Sequence, residues 1–141
     1  MRVLGVDFGM KRIGLAVSDP TGTIATPLET VKRRAGKRPP FKQIETSVED
    51  YDIEHVVIGL PLALSGEEND WCAEVRDMGA KLAARLGVEA SFVDERMTSV
   101  RAQRAVRAVG LSKSARRDKG RVDAGAAQLI LQSWLDRSKQ T

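Results

Sequence analysis

Val3-Leu4-Gly5-Val6-Asp7-Phe8-Gly9-Met10-Lys11-Arg12-Ile13-Gly14-Leu15-Ala16-Val17-Ser18 is the stretch that decides how the chain is read. Two short apolar runs, Val3 to Phe8 and Ile13 to Val17, flank the turn-like Gly9-Met10-Lys11-Arg12, which predicts a β-hairpin. Ser18-Asp19-Pro20-Thr21-Gly22 supplies the next turn. Asp7 is out of place in an otherwise apolar strand. An ionised carboxylate is very costly to bury unless it is paired or coordinates a metal. Gly5 and Gly9 beside it leave room for a ligand or backbone to come close. The plainer alternative is an Asp7 paired with Lys11 or Arg12 of the turn. Asp19, in an Asp-Pro turn, reads as a capping residue and stays outside any site.

Working outward, Ile24 to Val31 reads as a third strand, placed at an edge or bulge by Pro27. Phe41, Ile44, Val48 and Tyr51 then recur at helical spacing behind Pro40. His55 to Leu60 is a β-branched run of the kind buried on both faces of a sheet. After Pro61 and the polar Ser65-Gly66-Glu67-Glu68 comes the best-patterned helix. Trp71, Val75, Met78, Leu82 and Leu86 form its stripe, and Gly87 stops it. Val88 to Val93 is the next strand, closed by Asp94-Glu95-Arg96. A helix capped by Thr98 or Ser99 carries Ala102, Ala105, Val106 and Val109 and stops at Gly110. Val122 to Leu135 forms the last, with Ala126, Leu129, Ile130 and Trp134 inward. Three meandering strands followed by alternating strands and helices predict an α/β domain, a mixed five-stranded sheet with helices on both faces. That is the element order of a ribonuclease H-like fold.

The 141 residues suit one domain spanning 1–141, without repeat or linker. Cys72 is the only cysteine, which excludes an internal disulfide and a cysteine-cluster zinc site. No apolar run reaches membrane-spanning length, and Met1-Arg2 leads directly into a strand, so the expected compartment is the cytoplasm and no membrane partner is expected. Lysine and arginine outnumber the acids 23 to 19, a net charge of +4 that favours a polyanionic partner. The basic residues gather in two places. Lys32, Arg33, Arg34, Lys37, Arg38 and Lys42 form one cluster, and Lys113, Arg116, Arg117, Lys119 and Arg121 the other.

Further candidate acids lie at element ends. Asp94 and Glu95 close a buried strand, where α/β sheets place their crevices. Strand alternation sends them to opposite faces, so one of the two serves a site. Asp123 falls at the start of the last helix, where the helix dipole alone is reason enough for an acid. Taken together, a few carboxylates suit Mg²⁺ or Mn²⁺, leaving coordination positions for phosphate oxygens and water. Two such ions can activate water and stabilise the leaving oxygen of a phosphodiester. His55, the only histidine, begins a strand, which argues against histidine-based hydrolysis. Asp7-Phe8-Gly9 matches a kinase metal-binding tripeptide, yet no kinase glycine-rich or catalytic loop accompanies it. Walker and dinucleotide motifs are absent. The opening strand-turn-strand with its early Asp is also similar to the actin and sugar-kinase class, whose ATP sites need two such domains.

Several segments resemble the YqgF (RuvX) family of Holliday-junction-resolvase-like and pre-16S rRNA nuclease-like proteins. They are Gly5 to Gly9 with Arg12 to Asp19, Val57-Ile58-Gly59-Leu60-Pro61-Leu62, Asp94 to Ser99, and Val122-Asp123 with Ala126-Ala127 and Ile130 to Leu135. The resemblance implies a ribonuclease H-like fold and a divalent-metal nuclease acting on structured nucleic acid. RNA in pre-16S rRNA processing is favoured over branched DNA. A non-catalytic ribosome-assembly module is the alternative from another class. Carried over by motif, the acidic triad falls on Asp7, Glu95 and Asp123. The chain departs from the family at Ala63-Leu64-Ser65-Gly66, where an Asn-Met-Asp-Gly-like stretch is usual. Substrate contacts are expected from Arg12 and Arg96 beside the acids, from Arg101, Arg104 and Arg107 on the next helix, and from the loop Lys113, Arg116, Arg117, Lys119 and Arg121. Monomer and homodimer both remain open.

Overall fold

The computed structural model describes residues 1–34, 37–98 and 119–139, with Met97 and residues 119–124 described by backbone alone. The opening hairpin is present as read. β1 (Val3–Phe8) pairs antiparallel with β2 (Arg12–Ser18) in a register running from Leu4 opposite Val17 to Phe8 opposite Ile13. The Gly9 N–H donates to the Arg12 carbonyl at 2.9 Å, closing the turn. A Cβ at Gly9 would lie 2.5 Å from that carbonyl oxygen, so a tight backbone turn takes up the room the glycine leaves.

The expected third strand is broken in two. β3 (Ala25–Pro27) and β4 (Val31–Lys32) both pair antiparallel with β2, one against Ala16 to Ser18 and the other against Arg12 and Ile13. Pro27 has no N–H to give, so the strand sits at the edge and breaks just beyond it. The five expected strands thus become six segments, in the order β3-β2-β1-β5-β6 with β4 also beside β2. β5 (His55–Leu60) and β6 (Glu89–Asp94) are parallel to β1, with Val3 opposite His55 and Leu60 opposite Asp94.

Helices cover both faces. α1 (Phe41–Val48) runs on into a 3-10 turn at Glu49–Tyr51. α2 (Asp70–Leu86) is capped by Asn69, whose side chain accepts from the Cys72 N–H at 2.9 Å. It ends at Gly87, φ 69°, where only glycine is unstrained. Side-chain alternation divides the core. Leu4, Val6, Phe8, Val56, Ile58 and Leu60 face α1 and α2, packing on Ile44, Val75, Met78 and Leu82. Val3 and Val57 face the other way, onto Ala126, Ala127, Ile130, Leu131 and Leu135 of α3 (Lys119–Ser138). The last helix therefore buries a broader stripe than expected, while Leu129 and Trp134 pack at its margin. The helix expected between Thr98 and Gly110 lies outside the described residues.

Candidate active site

Asp7, Ser18 and Glu95 are the buried polar residues among those described, and two of them are carboxylates. Asp7 is 4% and Glu95 3% exposed. Asp7 follows Val6 in β1, so alternation points it toward α3, on the same face as Val3. Glu95 reaches that face by another route. β6 ends at Asp94, and Glu95–Met97 form a 3-10 turn. Its carboxylate folds back over β5: Glu95 Oε1 lies 2.9 Å from where a Cβ of Gly59 would be. Gly59 is one residue beyond Ile58, which pairs with Val6, so it sits beside Asp7 on the neighbouring strand. The Glu95 carboxylate thus lies over Gly59, on the strand next to the one that carries Asp7 and on the same face of the sheet. The bare glycine is a cradle. A Cβ would meet Ile130 Cδ1 at 2.4 Å as well as the Glu95 oxygen.

α3 sets the third position. Gly5 admits the helix closely, since its Cβ would lie 2.7 Å from Leu131 Cβ and 3.0 Å from the Ala127 carbonyl. The C-terminal half is tied to the start of the sheet, where Gln132 accepts from Ala25 N–H at 2.9 Å and donates to the Thr23 carbonyl at 2.9 Å. α3 therefore runs antiparallel to β1. From Ala127 back to Asp123 is about 6 Å of helix, and from Gly5 to Asp7 about 7 Å of strand. The N-terminal turns of α3, Asp123 among them, therefore lie toward the Asp7 end of β1. Its side chain is not described. Among the described residues no group of three His, Cys, Asp or Glu side chains gathers, so the carboxylates stand as a pair.

Asp94 has a different environment. It caps the 3-10 turn by accepting from Arg96 N–H at 2.9 Å and forms an ion pair with the Arg96 guanidinium at 2.6 Å. Hydrogen bonding to Asp94 raises the pKa of Arg96 above the ordinary arginine value. Arg96 also donates to the Leu64 carbonyl at 3.0 Å, tying down the Ala63–Gly66 turn beside Glu95. Within that turn Gly66 N–H donates to the Ala63 carbonyl at 2.8 Å, and Gly66 has φ 89°. The family-divergent stretch therefore keeps a glycine where positive φ demands one. Of the two roles open to Arg96 from the sequence, phosphate contact or balancing carboxylate charge, the structure shows the second, with Asp94 as the partner. Arg12 begins β2 at the turn after Asp7, with Nη1 buried. Arg101, Arg104, Arg107, Lys113, Arg116 and Arg117 lie outside the described residues, and Lys119 and Arg121 are placed by backbone in the first turn of α3. Asp19 accepts from the backbone of Thr23 and Ile24 at 2.7 and 2.8 Å, the capping role expected of it.

A divalent cation fits the carboxylate pair. Removing an ion from water costs roughly several kcal/mol, whereas a helix N-terminus such as that of α3 offsets at most about 2 kcal/mol. Hydrogen bonds relieve desolvation further, but like charges on neighbouring strands of one sheet face still repel. An oxygen-seeking cation converts that repulsion into attraction.

A mixed sheet flanked on both faces by helices, with buried acids near the end of β1 and just after β6, is the arrangement of a ribonuclease H-like protein. Thermus thermophilus RuvC bound to a Holliday junction superposes with a TM-score of 0.56 at 14% identity, covering 99% of this chain and 96% of that one. The Fowlpox virus resolvase in its junction complex gives 0.55 at 11%, covering 98% and 99%. The family model described as "RuvX: Holliday junction resolvase" matches residues 1–137. A relative from Anaeromyxobacter sp. (strain K), named "Putative pre-16S rRNA nuclease", is 44% identical over 97% of this chain and 98% of its own length. One of the same name from Maridesulfovibrio salexigens is 37% identical over 98% and 100%. The chain belongs to the RuvX (YqgF) family.

Proposed function

We propose that this protein hydrolyses phosphodiester bonds in structured nucleic acid, with RNA of the pre-16S rRNA type as substrate and Mg²⁺ or Mn²⁺ as cofactor. The observation that carries the reading is the pair of buried carboxylates, Asp7 on β1 and Glu95 folded over Gly59 of the neighbouring strand, on the face covered by α3. Asp7, Glu95 and Asp123 would hold the metal. When bound, the ion polarises the scissile phosphate and lowers the pKa of an attacking water. The chain supplies the rest. Gly59 lets Glu95 fold back into line, α3 closes the site on one side, and Asp94 with Arg96 holds the 3-10 turn that carries Glu95. Basic residues at the site's margin, Arg12 and the first-turn Lys119 and Arg121, would orient phosphate without reading bases. The names of the relatives support RNA, whereas the family description supports a branched DNA substrate as the second reading.

The test sets a labelled precursor-like RNA hairpin beside a four-way DNA junction, each with Mg²⁺ or Mn²⁺. RNA cleavage is expected, falling at least 100-fold in Asp7→Asn. Junction cutting with intact RNA reverses the substrate assignment. Cleavage of neither by folded protein leaves a binding module, and cleavage that survives Asp7→Asn removes the metal-ligand role.

A further inference from the structure

The first basic cluster is not absorbed by the site. Lys32, Arg33, Arg34, Lys37, Arg38 and Lys42 line a cleft of about 770 Å³ on the opposite face of the sheet from the carboxylates. α2 contributes Lys81 and Arg85 to the far wall. These last two are neutralised, Lys81 by Asp77 at 2.8 Å and Arg85 by Glu45. The first six form no ion pair among the described residues. A smaller hollow alongside brings in Glu74 and Asp77 of α2. Cations from β4, from the segment after it and from the start of α1 thus converge on one concave surface, which a merely solvated loop does not require.

The cleft is continuous with the site. Lys32 pairs with Arg12 in the β2–β4 ladder, Arg33 N–H donates to the Lys11 carbonyl at 2.7 Å, and Arg33 Nη1 reaches the Gly9 carbonyl at 3.5 Å. The basic path therefore rounds the sheet edge at the turn directly after Asp7. From there it follows α2, whose Trp71 lies under the Arg33 guanidinium at 5.8 Å. Trp71 to Arg85 is about 21 Å of helix. One B-DNA strand places about six phosphates in that axial length, at 3.4 Å each, and a more compact A-form duplex places at least as many. The aromatic rings along the path, Trp71 and Phe41, already carry the guanidinium groups of Arg33 and Arg85, at 5.8 and 5.7 Å. That favours backbone recognition over base stacking.

We propose that this cleft grips the phosphate backbone of a duplex arm of the substrate, about six base pairs long, leading away from the carboxylate pair around the β2–β4 edge. The inference rests on the nucleic-acid reading above but not on catalysis. The test measures anisotropy of a labelled RNA hairpin with a twelve-base-pair stem in EDTA, across a salt series. The proteins are wild type, Lys37→Ala/Arg38→Ala/Lys42→Ala, and the independent α2 variant Lys81→Glu, with melting curves confirming the fold of each. Each lost phosphate contact lowers the salt slope by about 0.7–0.9, so the triple variant is expected to lose two to three units and about 100-fold in affinity near 0.1 M salt. Lys81→Glu should weaken binding in the same sense. Shortening the stem by six base pairs should erase the difference between variant and wild type, and changing its sequence should not. An unchanged slope in the folded triple variant overturns the proposal, as does equal tightness for single-stranded RNA or a difference that persists on the short stem. Wild-type cleavage with unaltered variant binding sinks the cleft alone. Lost variant binding without any wild-type cleavage sinks the catalytic reading alone.

Discussion

Gly59→Ala places a methyl group at the hinge of the proposed chemistry. The new Cβ would approach Ile130 Cδ1 to 2.4 Å, Glu95 Oε1 to 2.9 Å and Ile130 Cγ1 to 3.1 Å. Carbon contacts settle near 3.5–4.0 Å, so Ile130 must retreat by about 1 Å. Ile130 is 0% exposed and has no solvent to swing into. Overpacking of this kind costs about 1–3 kcal/mol, or roughly 4–8 °C in Tm at 2 kcal/mol for a chain of this size. Glu95 is displaced as well, and a catalytic group misplaced by about 1 Å loses on the order of 100-fold in rate. The two effects separate in the double variant Gly59→Ala/Ile130→Val, which removes the closest clashing atom. Its Tm should recover most of the loss, while metal-stimulated cleavage stays depressed because Glu95 is still pushed aside. Thermal denaturation and single-turnover cleavage read the two quantities. A double variant that regains activity along with stability would refute the argument that Gly59 exists to seat Glu95.

Two further outcomes follow from the geometry. His55 stacks on Trp134 at 5.0 Å and hydrogen-bonds Ser91, and burial lowers its pKa from the usual 6.5. The unfolded chain therefore takes up the proton first, and this contribution to stability is complete above pH 6.5 and lost as pH falls below it. His55→Gln should be less stable by about 1 kcal/mol at pH 8 through loss of the stack, with the gap to wild type closing on acidification; urea midpoints that diverge at low pH would instead show Glu89 stabilising a charged His55. Arg96→Met should change stability little, because the ion pair is partly exposed. It should nonetheless speed chymotryptic nicking after Leu64, which is 79% exposed and held by Arg96 through its carbonyl; an unchanged nicking rate would mean the turn holds itself.

What was legible in the sequence and what was not divides along physical lines. The hairpin, α1, β5 and α2 announced themselves because period-2 and period-3.6 patterns are local, and Pro40 before α1 and Gly87 after α2 punctuate them locally too. The split of the third strand was only half visible: Pro27 marked an edge, but where pairing resumes at Val31 depends on β2 and not on the segment itself. Asp7 stood out as a charge in an apolar run. Its partner did not, because Asp94 and Glu95 are adjacent and alternation separates them without saying which faces inward. The chain resolves this by ending β6 and turning, so that Asp94 caps the turn with Arg96 while Glu95 folds back over a strand 35 residues earlier.

That long-range seat explains why three glycines recur where the chemistry is proposed. Gly5 admits α3, Gly9 admits the Arg12 carbonyl, and Gly59 admits both Ile130 and the Glu95 carboxylate. In a sheet, glycine weakens packing, and a core built for stability alone would place a β-branched residue at each position. Gly9 tightens the turn after Asp7, while Gly5 and Gly59 bring α3 down onto β1 and β5 and leave Glu95 lying over the strand next to Asp7. Like charges held close in a buried site repel, and a bound divalent cation would supply the counter-charge that draws them together. Asp7→Asn and Glu95→Gln should therefore each abolish any increase in Tm produced by Mn²⁺, whatever their Tm in EDTA. A Mn²⁺-induced rise that survives in either folded variant would remove that residue from the metal site.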